Sequence, residues 1–219
     1  MTRADNWVSF LTKLPSLFVG LFLFAVGVVM NLYSNLGMSP WGVLQVGIAN
    51  HVPLTLGQVS QLVGLVVLVI GWALGFAPGF ATLMNMYFIG LFIDLIMEWG
   101  LVPRLDSPLG EYLLLLGSVV ALGIGSLLYM GPKLGAGPRD GLMLGFVHKL
   151  DKPVSQVRGG IEVTVLVLGY LLGGPVGVGT VITALTVGVS VQFFLRLGGY
   201  DRNTKHMNLY ELAKSLTGR

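Results

Sequence analysis

The sequence predicts an all-α transmembrane protein: about six membrane-spanning helices and two short broken or re-entrant helices, in two repeats of inverted topology. The first observation behind this is composition. Charged residues make up 11% of the 219-residue chain, hydrophobic ones 54%, and mean hydropathy is +0.81. A soluble domain carries about 25% charged residues, which this chain lacks. The second is a set of nearly uncharged runs at 14–33, 56–76, 80–97, 112–130, 163–172 with its flanks, and 178–195. Most approach the roughly 20 residues that a helix needs to cross about 30 Å of hydrocarbon. The third is an internal repeat.

Sliding the sequence by 98 positions aligns 17–96 with its own second half without a gap. Leu36-Gly37 meets Leu134-Gly135, Pro40 meets Pro138, and Leu44 and Gly47 meet Leu142 and Gly145. Gln58-Val59 meets Gln156-Val157, Gly71 meets Gly169, and Leu74-Gly75 meets Leu172-Gly173. Gly79, Thr82 and Gly90 meet Gly177, Thr180 and Gly188. Roughly eighteen identities over about eighty positions, holding Pro, Gln and Thr as well as Gly, mark a structural repeat. The first apolar run has a counterpart inside the chain and no small-x-small site after it, so we expect it to be a span and not a cleaved leader.

Each unit reads as helix, short segment, helix, helix. The short segments, 40–51 and 138–149, would cover about 18 Å as helices, too little to span. Three full spans per unit would turn the second unit upside down relative to the first. The expected organisation is a lead-in (1–13), a first repeat (14–99), a second repeat (112–197) and a tail (198–219). In the tail Asn208 would cap a short amphipathic helix. With both termini cytoplasmic, Arg3, Lys13, Lys133, Arg139, Lys149, Lys152, Arg158, Arg196, Arg202, Lys205, Lys214 and Arg219 lie inside and Arg104 outside, as the positive-inside rule asks. An eight-span arrangement of parallel repeats also keeps the termini inside; segment length favours six.

The remaining composition excludes function classes. The charge of +3 is a topology signal beside apolar runs and implies no nucleic-acid partner. There is no cysteine, hence no disulfide or thiolate site. His51, His148 and His206 are isolated, no zinc spacing exists, and no Ser/His/Asp set suggests a nucleophile. We expect no enzyme, metal or cofactor. A β-barrel would alternate apolar and polar residues, and none of the runs does.

The loops opening the short segments, Leu36-Gly-Met-Ser-Pro-Trp-Gly42 and Leu134-Gly-Ala-Gly-Pro-Arg-Asp-Gly141, carry the strongest local signal. Proline suits the first helical turn, and Ser39 before Pro40 is a good N-cap. A half-helix starting inside the membrane aims unpaired N–H groups and a positive dipole end inward, where an anionic group is held. Arg139 adds a full charge; the plainer alternative is that it snorkels and pairs with Asp140. Trp41 has the alternative role of an interfacial anchor. Asp94 and Glu162 are the carboxylates well inside spans and candidates for a coupling proton, with Arg158 one turn before Glu162 as a local ion-pair partner. Asn85, Asn31, Gln58, Gln156, Thr82 and Thr180 are placed to bond a solute or to join helices.

These motifs resemble the YczE-like bacterial membrane proteins, related to the wider YitT group. The resemblance is carried by Leu36-Gly-Met-Ser-Pro-Trp41, Gly75-x-x-Pro-Gly-x-x-Thr82 with Asn85, Asp94, Gly137-Pro-Arg-Asp-Gly-Leu-Met143, Val157-Arg158 with Glu162, and Leu172-Gly-Gly-x-Val-Gly-x-Gly-Thr180. It implies a small multispan protein of the bacterial plasma membrane. It points at Ser39, Pro40, Trp41, Arg139, Asp140, Arg158 and Glu162 as motif residues. Together the readings predict a secondary transporter, an exporter by the same reasoning, for an anionic or zwitterionic solute. Ser39, Pro40, Trp41, Asn85, Gly137, Pro138, Arg139 and Asp140 would bind it, and Asp94, Arg158 and Glu162 would couple. The partners expected are the bilayer and a small-molecule solute, with a homodimer allowed. The rival readings are a passive channel and a non-transporting partner of a biosynthetic or regulatory system.

Overall fold

A computed structural model describes residues 3–200 and 206–217, and within them the chain is helical without a strand. The first unit is α1 (Arg3–Tyr33), α2 (Pro40–Ala49), α3 (Leu56–Ala73) and α4 (Phe80–Glu98). The second is α5 (Pro108–Met130), α6 (Pro138–Leu150), α7 (Val154–Leu171) and α8 (Val178–Leu197). A tail helix, α9 (Leu209–Thr217), follows. Five helices, α1, α3, α4, α5 and α8, are long and apolar enough to cross a membrane. α7 has the 18-residue length of α3 but carries Gln156, Arg158 and Glu162 in its first half, which removes the apolar content. α2 and α6, of 10 and 13 residues, extend about 15–20 Å and do not span. The anticipated lead-in is continuous with the first span, because α1 begins at Arg3 and runs through Pro15.

Small residues set the central contact. α1 and α5 pack antiparallel: Gly20 lies against Leu128 and Tyr129, Gly125 against Phe24, and Gly27 against Leu122 and Ser118. A Cβ at Gly20 would stand 2.5 Å from a backbone nitrogen of α5, so larger residues would push the helices apart. α4 runs alongside α1 through three edge-to-face pairs, Phe10–Phe80, Phe18–Phe88 and Phe22–Phe92, with centroids 5.2, 4.9 and 5.5 Å apart. Each such pair adds about 0.5–1.5 kcal/mol beyond burial. α8 lies on α5 in the corresponding way, with the Ser190 hydroxyl donating to the Val119 carbonyl at 2.8 Å.

The residues that the repeat retains are those with which each unit holds the other's short helix. Gly71 of α3 meets the backbone of Leu142 in α6, and Gly169 of α7 meets that of Leu44 in α2. Gly145 packs on Leu74, and Gly47 on Leu172. The loops before the short helices are clasped too. The Ala81 N–H donates to the Leu134 carbonyl at 2.9 Å, and the Gly179 N–H to the Leu36 carbonyl at 2.6 Å. Gly37 and Gly135 have φ of +102° and +141°, which a side chain would strain. A Cβ there would also reach the Thr180 hydroxyl at 2.6 Å and the Thr82 hydroxyl at 2.8 Å.

The tail packs back on this framework. Asn208 and Glu211 cap α9 reciprocally, each backbone N–H donating to the other's side chain at 3.1 and 2.8 Å. Leu212 is buried in the α1/α4 core, and the Asn6 amide donates to the Ser215 carbonyl at 2.9 Å. Arg202, Lys205 and Arg219, which the charge rule places inside, lie outside the described residues. The Tyr200 hydroxyl and Nε2 of His206 share a hydrogen bond, and burial pushes that hydroxyl up to about 12, keeping its proton. Burial holds the His206 imidazole below its ordinary pKa, with Asp140 opposing and Lys133 reinforcing. Docking therefore favours neutral His206: it is unaffected above the ordinary value of about 6.5 and weakens as pH falls through it. The protection of α9 amides, taken as exchange relative to the intrinsic rate at each pH, should be higher at pH 8 than at pH 5.5, and His206→Phe should flatten that difference.

Candidate functional site

The two short helices start toward each other, and a cavity of about 370 Å³ opens between them. Its walls include Ser39, Pro40 and Trp41 from the start of α2, and Gly137, Pro138, Arg139 and Asp140 from the start of α6. Asn31 of α1, Asn85 of α4 and Arg158 and Glu162 of α7 complete the expected residues that reach it. Asp94 is not among its walls.

The entry to α2 is held from α1. Asn31, 2% exposed, accepts from the Ser39 N–H at 3.0 Å through Oδ1, and its amide donates to the Gly37 carbonyl at 3.4 Å. At the entry to α6 the position 98 residues on, Tyr129, brings its hydroxyl beside Gly137, within 3.1 Å of where a Cβ would be. The Asp140 carboxylate lies beside the same residue, with Oδ2 3.4 Å from where a Cβ on Gly137 would be. Such anchoring fixes where the half-helix N–H groups point.

Arg139 and Trp41 occupy the same repeat position and meet in space: the guanidinium carbon lies 4.5 Å from the centre of the Trp41 ring. Trp41 is 8% exposed, a cavity wall and not an interfacial side chain. Arg139 neither snorkels to a surface pair nor bridges to Asp140. Among the described residues no carboxylate lies within 4.0 Å of its guanidinium, which opens onto the cavity. The ring face attracts the cation, by about 0.5–2 kcal/mol, without consuming its N–H donors. Arg158 and Glu162 do pair, at 3.1 Å, one turn apart on α7.

Asp94 has a different place. It accepts from the Thr55 hydroxyl at 2.5 Å and from the Gly57 N–H at 2.9 Å, fastening α4 to the start of α3. Gln58 closes a capping box with Thr55, and Thr82 caps Gly79 while donating to the Ala136 carbonyl at 2.6 Å. Asp94 and Thr82 join elements, and Gln58 caps its own helix. The cavity also holds Gln45, Ser60, Ser126, Tyr129, Thr183 and Gln192, which composition alone does not single out. The repeat was the available signal for three of them, since Tyr129 aligns with Asn31, Thr183 with Asn85 and Gln192 with Asp94. No group of three or more metal-ligating side chains occurs among the described residues.

Comparison with known proteins places this architecture. Residues 11–196 match the family of unknown function DUF6198. The chain belongs to the DUF6198 family. Among relatives, it is 36% identical over 182 residues to the uncharacterized membrane protein YczE of Bacillus subtilis, covering 81% of this chain and 83% of that one. It is 34% identical over 195 residues to an uncharacterized protein of Haemophilus influenzae, covering 87% of each. A second Bacillus subtilis relative, YyaS, is 26% identical over 182 residues, covering 81% of this chain and 89% of that one. No solved structure matches. The match to DUF6198 takes in both short helices and the whole cavity, so this YczE-like membrane protein shares its membrane region with the family.

Proposed function

We propose that the protein is a secondary transporter of the bacterial inner membrane whose cavity binds an anionic or zwitterionic solute between the two short helices. The observation that carries this reading is Arg139: a guanidinium with no carboxylate within 4.0 Å among the described residues, set against Trp41 where both half-helices begin. Two helix starts and one cation converge on one space, an arrangement suited to a carboxylate or phosphate. Arg139, Asp140, Arg158 and Glu162 cancel in formal charge around the cavity, which suits a zwitterion or an anion accompanied by a proton.

The two units form an inverted pair in this reading. Its support is that α1 and α5, equivalent in the repeat, run antiparallel in contact. Alternating access would rock one unit against the other about that contact, with both termini cytoplasmic. Glu162 is the coupling carboxylate: protonating it would free Arg158 from its 3.1 Å pair, so proton exchange would alter the charge facing the solute. Asp94, engaged by Thr55 and Gly57, has no part in this step.

The test is uptake of organic anions by proteoliposomes under an imposed pH gradient. Uptake should saturate and follow the gradient. Arg139→Ala should raise the half-saturating concentration by about 10–100-fold, the worth of roughly 1.5–3 kcal/mol for hydrogen bonds to a charged group. Normal uptake in Arg139→Ala would overturn the reading.

A further inference from the structure

The repeat fails at one seam. In the first unit α3 and α4 are closed on each other: a Cβ at Gly57 would lie 2.1 Å from the Gly90 carbonyl oxygen, and one at Gly90 2.3 Å from that of Gly57. Asp94 ties the seam to Thr55 and Gly57, the Gln61 amide donates to the Tyr87 carbonyl at 2.9 Å, and Met86 fills the space at Gly64. In the second unit α7 and α8 barely touch.

The sequence replaces every closing residue but one. Ninety-eight residues on, Thr55 becomes Pro153, Gly57 becomes Ser155 and Gln61 becomes Gly159. Gly64 becomes Glu162, Met86 becomes Ala184, and Asp94 becomes Gln192. Gly90 is retained as Gly188, but a Cβ there would meet only the end of the Arg158 side chain, at 3.9 Å. Around Gly159 and Gly160 there is nothing within 4 Å of such an atom. The opening is therefore built by substitution at the same positions that seal the other seam.

This opening leads from the cavity. Ile161, Ala184, Val187, Gly188, Val191 and Leu195 line the cavity on its α7 and α8 side. Beyond them, the outward faces of the same helices are apolar: Val163 is 61% exposed and Leu185 70%. A path from Arg139 to the surroundings thus goes from charged to apolar. Arg158, Glu162 and Gln192 stand at the cavity end of this path, where a charged headgroup is solvated; a soluble ion gains nothing from the apolar outer end, whereas a hydrocarbon chain is solvated there. A volume of about 370 Å³ lies at the small end of the roughly 300–1,000 Å³ of ligand pockets, room for a headgroup with the chain outside.

We infer that the substrate is an amphiphile, with its anionic headgroup on Arg139 and the two helix starts and its hydrocarbon chain passing between α7 and α8 into the bilayer. This rests on the headgroup site proposed above and adds the class of molecule and its route.

Trp41 offers the readout. The other tryptophans, Trp7, Trp72 and Trp99, are 47, 61 and 63% exposed and can be replaced by Phe, leaving Trp41 as the sole emitter. The probes are 2-bromododecyl phosphate and 2-bromoethyl phosphate, which carry the same quencher beside the same headgroup. In nanodiscs, the long probe should half-saturate quenching of Trp41 at a concentration at least tenfold lower than the short one. Gly188→Phe, which narrows the opening, should reduce that ratio at least fivefold; Ala184→Met, which restores the residue of the closed seam, is the second variant. Arg139→Gln should weaken both probes. Equal quenching by both probes, insensitive to both seam variants, would overturn the amphiphile and leave the headgroup site standing. A long probe that responds to Gly188→Phe but not to Arg139→Gln would instead overturn the headgroup site. Absence of quenching by either probe would overturn both. The chain has no cysteine, so Val181→Cys reports a second copy seated in the seam. An efficient disulfide between two copies carrying that substitution would likewise overturn the proposal.

Discussion

Gly90→Ala should destabilise the protein severely, whereas Gly188→Ala, the same change at the equivalent repeat position, should be tolerated. At Gly90 the new methyl would stand 2.3 Å from the Gly57 carbonyl oxygen and 2.5 Å from a Gln61 carbon. The first obstacle is backbone, which cannot rotate aside, so α3 and α4 must separate and Asp94 would be drawn off Thr55 and Gly57. Overpacking costs about 1–3 kcal/mol where side chains can adjust, and more is expected here. At roughly 2–4 °C per kcal/mol for a chain of this size, Tm should drop by about 10 °C or the folded protein should not accumulate. At Gly188 the nearest atom is 3.9 Å away and belongs to a flexible side chain. There the better helix propensity of Ala, worth up to about 1 kcal/mol, should leave Tm unchanged or slightly raised. Equal effects at both positions would mean that the two seams are closed alike.

The second contrast separates the two intramembrane carboxylates. Asp94→Ala removes the acceptor for a hydroxyl and an amide, and hydrogen bonds to a charged group contribute about 1.5–3 kcal/mol each. A loss of about 3–6 kcal/mol should appear as a lowered Tm and reduced accumulation. The pH dependence of transport in the protein that remains should keep the shape of the unsubstituted one. Glu162→Gln should do the reverse. Its partner is one turn away and half-exposed, and such pairs contribute about 0.3–0.5 kcal/mol, so Tm should hold. Uptake should then lose its dependence on the pH gradient. A stable Asp94→Ala with an altered pH profile would return the coupling role to Asp94.

Much of the architecture was legible because membrane helices announce themselves by length and the breaks by proline. Pro40 and Pro138 mark the starts of α2 and α6 to the residue. The repeat put Trp41 and Arg139 at one position, but only the fold shows that they lie against each other. What the sequence concealed depends on distance along the chain. The donors to Asp94 are a hydroxyl and a backbone amide 39 and 37 residues away, and no periodicity points from one to the other. Tyr129 reads as an ordinary apolar position of α5 until the fold brings it to Gly137. α7 was hard to delimit because its first half carries Ser155, Gln156, Arg158 and Glu162, the last two of which face the cavity, so the apolar run begins only at Val163.

The reciprocal clasp between Leu36 and Gly179, and between Leu134 and Ala81, bears on how the chain is made. A ribosome delivers the 36–40 loop long before residue 179 exists, so the first half enters the bilayer with a carbonyl and a half-helix start still waiting for partners. Unsatisfied backbone groups are costly in hydrocarbon. The nascent first half must therefore wait in a shielded or partly inserted state until α8 arrives. Biogenesis then has an obligatory last step, and the closing of the first loop reports that the final span is in place. Residues 1–106 and 107–219 produced as separate chains should each be degraded alone and rescue each other when made together.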